Sequence, residues 1–228
     1  MPAASTLFAR LRAACTTEWR AYTGHPFVRG LAAGTLPQAC FTHYLTQDYL
    51  FLVQFARAYG LAAYKGETLA YIRAAAAALT AIVDAELPMH VAYCRAWGLS
   101  EADLETTAEA KEALAYTRFV LDRGLSGDLL DLLVALAPCV VGYGEIGRAI
   151  AADPATRRGA GNPYEAWIAT YAGDDYQGVA ARHVAHMEDL AARRGAPGRW
   201  PSLVFGFRTA TRLETDFWSM GLNPPPLA

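Results

Sequence analysis

The chain has 228 residues, 20 Lys and Arg against 22 Asp and Glu, and 54% apolar against 18% charged side chains. Its length fits one domain or two small ones, and this much apolar material excludes a disordered, solvating chain. The formal net charge of −2, with no basic stripe, removes the clustered Lys and Arg that binding to a nucleic-acid backbone requires.

From the N-terminus, Met1 to Cys15 is interrupted by Arg10 and Arg12 and offers no apolar core for a secretory signal. Gly30 to Gln47 is the one uncharged run of membrane-spanning length. It carries Pro37, Gln38, His43 and several Thr, which disqualifies it as a span. The expected location is therefore the cytoplasm, away from a membrane. Cys15, Cys40, Cys94 and Cys139 lie far apart with no C-x-x-C pair, so they are expected to be thiols in a reducing compartment.

Thr35-Leu36-Pro37-Gln38 combines a capping hydroxyl, a Pro and a reciprocal Gln, and predicts the start of a long helix toward Tyr64. An Ala-rich segment, Leu69 to Val83, has high helix propensity within a candidate helix from Glu67 to about Trp97, where Pro88 predicts a kink. Ser100-x-x-Asp103 predicts a helix that ends near Gly124. Asn162-Pro163-Tyr164-Glu165 and Asp174-x-x-Gln177 repeat the start pattern. Arg194 to Gly198 closes the second of these helices, and Trp200-Pro201 opens a last one toward Met220.

No stretch alternates apolar and polar residues between turn signals, so no strand is predicted. The expected fold is all-α: one helical-bundle domain of roughly eight or more helices over residues 1–220. Gly221 to Ala228, with three consecutive prolines, is expected to be irregular.

Gly142-Tyr143-Gly144-Glu145-Ile146-Gly147 fits the spacing G-x-G-x-x-G. A dinucleotide site would need a strand before it within a βαβ unit. Pro138 interrupts the preceding apolar run, and no other strands exist to make a parallel sheet. These glycines are read instead as allowing close helix packing.

Cys139 follows Pro138 in an apolar helical stretch, where the proline leaves the Val134 carbonyl without its N–H partner. Such a break can expose one side chain to a cavity, although a buried Cys is ordinarily inert packing. Tyr143 lies one turn later on the same face. Asp48 shares its helix face with Tyr44, Phe51 and Leu52, a costly place for a carboxylate unless something donates to it. A structural bond from a Tyr or Arg and a ligand bearing adjacent N–H groups, such as an aminopyrimidine, both satisfy that need.

Glu214 precedes Phe217 and Trp218 by three and four positions. Apolar crowding would raise its pKa and suit it to donate a proton, whereas at an exposed helix edge it would be an ordinary surface acid. Tyr164, Trp167 and Tyr171 recur at helical spacing, and Tyr116 lies in another apolar stretch. Stripes of this kind are ordinarily core. His183 with His186 and Glu86 with His90 lack the Glu-x-x-His pairs of a di-iron bundle, and no H-E-x-x-H occurs. They are read as solvated faces or local hydrogen bonds.

Taken in order, His25-Pro26-Phe27-Val28, Gly34-Thr35-Leu36, Gln47-Asp48-Tyr49-Leu50-Phe51-Leu52, Tyr116-Thr117, Pro138-Cys139 with Gly142-Tyr143, Tyr164-x-x-Trp167-Ile168-x-x-Tyr171 and Glu214-x-x-Phe217-Trp218 resemble the thiaminase II family, also called TenA. The resemblance runs across nearly the whole chain. It implies a fold like that of haem oxygenase, assembled as a homotetramer without haem, metal or other cofactor. It also implies hydrolysis of aminopyrimidines in thiamine salvage, with cleavage of thiamin as a related activity. Cys139 matches the nucleophile that adds to the ring, and Glu214 the acid that protonates the departing amine. Asp48 matches the carboxylate that grips the ring nitrogen and exocyclic amine.

Tyr143 and Tyr171 match ring-binding tyrosines, the latter across an insertion around Ala155 to Gly161, and Tyr116 matches a pocket tyrosine near the thiol. Phe51 departs from the pattern, because a tyrosine often stands there to polarise the sulfur. An unperturbed thiol of pKa about 8.5 is only a few per cent ionised at neutral pH. Activation then falls to Asp48, Tyr116 or substrate. Cys139 places the chain in the cysteine-containing branch of the family. The rival readings are a metal-dependent, di-iron oxygenase on the same scaffold and a non-enzymatic transcriptional regulator.

Overall fold

The structure, a computed structural model, describes residues 5–195 and 197–225. Among them the regular elements are all helical, twelve of them α-helices, with no strand. The all-α expectation is met. The chain divides into two compact units. One comprises Met1–Leu36 and Leu133–Trp218, the other Pro37–Leu132 and Ser219–Ala228.

In the first unit lie α1 (Leu7–Ala14), α2 (Thr16–Thr23), α3 (Pro26–Ala33), α10 (Glu165–Ala172) and α11 (Asp174–Arg194). Most of α9 (Leu129–Ala152) and of α12 (Trp200–Leu222) also belong to it. Aromatic side chains build its core. Trp19 stacks on Phe207 at 5.5 Å between ring centroids, with Phe8 edge-on to both. Phe27 and Tyr22 stack on Trp218 at 4.9 and 6.2 Å.

Gly34 ends α3 in the left-handed region, φ 66°, where a side chain would be strained. The next two N–H groups, of Thr35 and Leu36, both donate to the Gly30 carbonyl. This closure occupies the segment expected to cap the following helix through Thr35. That helix instead begins after Pro37 with no side-chain cap. Asp174 and Gln177 make no cap either. Gln177 donates from Nε2 to the carbonyls of Gly144 and Tyr171, at 2.9 and 2.8 Å, which ties the end of α10 to α9. Asn162 accepts from the Tyr164 N–H at 2.9 Å in the turn before α10, which itself starts after Tyr164 with no side-chain cap.

The second unit is built on α4 (Gln38–Lys65), which packs against α5 (Leu69–Ala81), α6 (Leu87–Ala96), α7 (Glu101–Thr106) and α8 (Lys111–Ser126). Between α5 and α6 a π-helical turn, Ile82–Glu86, replaces a simple kink. Pro88 has no N–H for the Asp84 carbonyl and crowds it, so the ladder loosens one turn earlier, and Leu87 N–H reaches back to Ile82. Ser100 and Asp103 form the predicted capping box. The helix they start stops at Thr106, well short of Gly124, because the intervening backbone bonds elsewhere. Buried Gln47 accepts from the Ala110 N–H at 2.8 Å and donates to the Ala108 carbonyl at 3.0 Å.

Two stretches are long and apolar enough to cross a membrane by length and composition, Leu69–Ala96 and Leu129–Ala152. In the second, 89% of the most apolar window is buried, as in the core helix of a folded domain; in the first, only 17% is. Leu69, Ile72, Val83 and Met89 are exposed there. At the other end, α12 continues through Leu222, two residues into the segment expected to be irregular; 226–228 lie outside the described residues.

Candidate functional site

In the second unit, α4 carries Asp48 into the interior, where it is 7% exposed. One hydrogen bond reaches it there, from the Tyr44 hydroxyl to Oδ2 at 3.3 Å. That is a single long donation to a group able to accept several. Burial pushes the carboxyl up to about 7, with the Tyr44 bond opposing. The Tyr partner foreseen from the sequence is therefore present.

The helix facing Asp48 supplies a set of groups that sequence reading did not connect with it. His90 Nδ1 lies 3.7 Å from Oδ2, and His90 Nε2 is bonded to the Leu45 carbonyl at 2.9 Å. Glu86 and Cys94 flank His90 by one turn on either side, on the same face. Burial, then the charge of Asp48, pushes Glu86 up to about 7, while His90 opposes. Burial, then the same charge, pushes Cys94 up to about 12, leaving it a neutral thiol. Burial lowers His90 against the Leu45 bond and Glu86. The solvated-face reading is corrected for His90, whose side chain is 10% exposed and for which the local-hydrogen-bond reading holds; Glu86 is half-buried. The period-four spacing Glu86, His90, Cys94 was the available signal, and it needed a buried partner to carry meaning.

Phe51 and Tyr116 pair in the same unit, both buried, with ring centroids 5.2 Å apart. Phe51 also stacks on Phe55 at 5.8 Å.

In the first unit, α9 carries Cys139 at a half-buried position and Tyr143 one turn later, buried. Pro138 lies inside this helix, and its carbonyl accepts from the Tyr22 hydroxyl at 3.2 Å. The glycines of G-x-G-x-x-G are helical and serve packing. A Cβ on Gly142 would sit 2.4 Å from the Tyr22 ring, and one on Gly147 2.6 Å from Tyr171. Those close approaches set the aromatic cluster beside the thiol-bearing helix. Tyr143 lies 5.0 Å from Tyr171, 5.9 Å from Trp167 and 5.1 Å from Trp218, between ring centroids.

Glu214 lies on α12 one turn before Trp218 and is 1% exposed, which removes the surface-acid reading. A thiol and a buried acid are thus each one helical turn from neighbouring rings of one cluster. His183, buried, bonds the Leu133 carbonyl at 2.9 Å and is pushed down to about 4, mainly by burial, which corrects its solvated-face reading. Among the described residues no group of three or more His, Cys, Asp or Glu converges as a metal-binding set.

The family model described as TENA/THI-4/PQQC matches residues 12–223. An uncharacterized protein of Haemophilus influenzae is 40% identical over 90% of this chain and 94% of its own length. The aminopyrimidine aminohydrolase of Halalkalibacterium halodurans is 34% identical over 90% of each chain. Among solved structures, a TenA family transcription regulator from Silicibacter sp. TM1040 superposes with TM-score 0.90 at 49% identity, covering 95% of this chain and 96% of its own. A domain with a heme oxygenase-like fold from Shewanella denitrificans, 13% identical, superposes with TM-score 0.70 over 93% and 90% of the two chains.

Proposed function

Because the chain belongs to the TENA/THI-4/PQQC family, we propose that it hydrolyses an aminopyrimidine, 4-amino-5-aminomethyl-2-methylpyrimidine, to hydroxymethylpyrimidine and ammonia in thiamine salvage. The observation that carries this reading is the arrangement within the first unit. Half-buried Cys139 and buried Glu214 flank rings of one aromatic cluster, Tyr143 with Trp218. Nucleophile, acid and a surface for a flat heterocycle are the parts this reaction needs.

In the proposed reaction the Cys139 sulfur adds to an electron-poor ring carbon. The ring then expels ammonia from the side-chain methylene as Glu214 delivers a proton to the leaving nitrogen. Water adds its oxygen to the methylene left behind and gives its proton back to the Glu214 carboxylate, and departure of the thiolate restores the aromatic ring. One difficult displacement becomes two easier steps. Tyr143 and Tyr171 hold the ring face, and Asp48 takes the ring nitrogen and exocyclic amine, with Phe51 and Tyr116 shaping the pocket. The burial of Asp48, with a long bond from Tyr44 as its hydrogen bond among the described residues, supports its role. No cofactor is required. Self-association, as a homotetramer, is proposed with it: exposed Leu69, Ile72, Val83 and Met89 give the α5 and α6 helices an apolar face suited to burial between subunits.

The test is release of ammonia and hydroxymethylpyrimidine from aminomethylpyrimidine by wild type, Cys139→Ser and Glu214→Gln. Loss of about 10²–10⁴-fold in each variant is expected; undiminished turnover in both rejects the mechanism. The regulator reading, suggested by the Silicibacter relative's description as a transcription regulator, predicts salt-dependent binding to duplex DNA instead.

A further inference from the structure

The second and third glycines of the G-x-G-x-x-G stretch mark a face of α9 on which other segments close in. A Cβ on Gly147 would stand 2.6 Å from the carbonyl carbon of Tyr171, and one on Gly144 would stand 3.3 Å from Gln177 Nε2. Three residues apart in a helix, the two glycines share a face. Against it packs the corner where α10 gives way to α11 at Gly173.

Gln177 joins the two sides of that contact. Its Nε2 donates to the Gly144 carbonyl at 2.9 Å and to the Tyr171 carbonyl at 2.8 Å. A carbonyl only accepts, so the amide turns its NH2 end to this pair and gives one hydrogen to each. The Tyr171 carbonyl is among the last four of α10, the ones a helix leaves without an intrahelical N–H. Gly144 directly follows Tyr143. One side chain therefore holds the backbone of Tyr171 against the backbone beside Tyr143.

Those are the two tyrosines read as holding the ring face, and their rings stand 5.0 Å apart between centroids. Tyr143 is buried on a long helix, whereas Tyr171 is half-buried in the last turn of a short one. The geometry of the pair is thus set at Tyr171. Trp167 at 4.5 Å and Tyr176 at 4.7 Å support its ring, and Gln177 anchors its backbone.

We propose that Gln177 is a positioning residue for pyrimidine binding, clamping Tyr171 to α9 so that its ring meets the substrate together with Tyr143. This rests on the reading that those tyrosines bind the pyrimidine. Gln177 acts through Tyr171, so its loss weakens affinity only where the Tyr171 ring is present.

The experiment is calorimetric binding of hydroxymethylpyrimidine to wild type, Gln177→Met, Tyr171→Ala and the double variant. Methionine keeps the length of the side chain and donates nothing. Losing two hydrogen bonds that orient Tyr171 is expected to weaken binding by about 10-fold, but by less than about twofold once Tyr171 is already Ala. A purely structural role would weaken binding equally in both backgrounds. That result, or wild-type affinity in folded Gln177→Met, overturns the proposal. Gly144→Ala presses a methyl on the same amide from the α9 side, and the lengthened bonds are expected to weaken binding about threefold.

A second arm needs no ligand. With 3-fluorotyrosine placed at position 171, the ¹⁹F resonance is expected to shift or broaden in Gln177→Met and, to a smaller extent, in Gly144→Ala. A resonance unmoved in both overturns the clamp independently. If Gln177→Met does not fold, Gly144→Ala carries both arms, and unchanged affinity and resonance there overturn the proposal. If wild type binds no hydroxymethylpyrimidine, the functional reading fails, and the resonance alone decides the clamp.

Discussion

The two units bury different kinds of chemistry. The first encloses rings: Tyr22, Phe27, Trp167 and Tyr143 each pack against Trp218, Tyr143 lying one turn after half-buried Cys139 and Trp218 one turn after buried Glu214. The second buries Asp48, with His90 Nδ1 3.7 Å from it on the facing helix and half-buried Glu86 one turn before His90. Apolar burial stabilises the first directly, whereas the second carries groups that are costly to bury and persist at the expense of stability. The proposed nucleophile, acid and ring-binding tyrosines, Tyr143 and Tyr171, all belong to the first unit, and Asp48 to the second.

The sharpest break between the two roles is in kinetics. Cys139→Ser is expected to lower kcat/KM by about 10²–10⁴-fold, since the hydroxyl is a far weaker nucleophile at neutral pH. Asp48→Asn keeps the shape of the carboxyl but removes its proton chemistry. It is expected to raise the Kd for hydroxymethylpyrimidine by about 10-fold or more, a loss in the range of hydrogen bonds to charged groups. Equal effects of the two substitutions on binding would erase the distinction.

Stability separates the units by sign as well as size. Asp48 and Glu86 are raised to about 7, above their unfolded values, so the folded state holds their protons more tightly. Their contribution is full in acid and is lost as pH rises from about 4 through about 7. His183 is lowered to about 4, so its contribution is present above its unfolded value near 6.5 and is lost as pH falls toward 4. Each titration has a slope of about 1.4 kcal/mol per pH unit within its window. Asp48→Asn is expected to raise the Tm at pH 8 even as it weakens binding, and His183→Gln to flatten the acid side. Melting curves from pH 4 to 8 check both; a wild-type Asp48 more stable than Asn at pH 8 contradicts the cost assigned to burying it.

Smaller effects probe the packing. Gly147→Ala forces a methyl against Tyr171 and is expected to cost about 1–3 kcal/mol in denaturant unfolding. It should also weaken pyrimidine binding through the displaced ring. Phe51→Tyr restores the hydroxyl that the family often carries there. A rise of a few-fold in kcat at neutral pH is expected if recognition and chemistry serve one substrate; an unchanged rate would locate thiol activation elsewhere.

Helix content and the order of motifs were legible because capping signals, proline positions and apolar periodicity are local. Ser100 with Asp103 acts as the chain predicts. Thr35 and Gln177 do not, because their surroundings are set at a distance: the Thr35 N–H closes the preceding helix, and Gln177 bridges two carbonyls of other elements. Likewise the rejection of a dinucleotide loop could be argued from the missing strands, but only packing reveals that Tyr22 and Tyr171 require Gly142 and Gly147. Asp48 stood out as a carboxyl on an apolar face. Glu86 and His90 did not, since their spacing suits an exposed helix equally well, and burial alone distinguishes the cases.

The most direct measurement pairs turnover with affinity in one variant. Cys139→Ser should bind hydroxymethylpyrimidine within about threefold of wild type while releasing no measurable ammonia from aminomethylpyrimidine. Ammonia release at the wild-type rate from that variant would contradict the account.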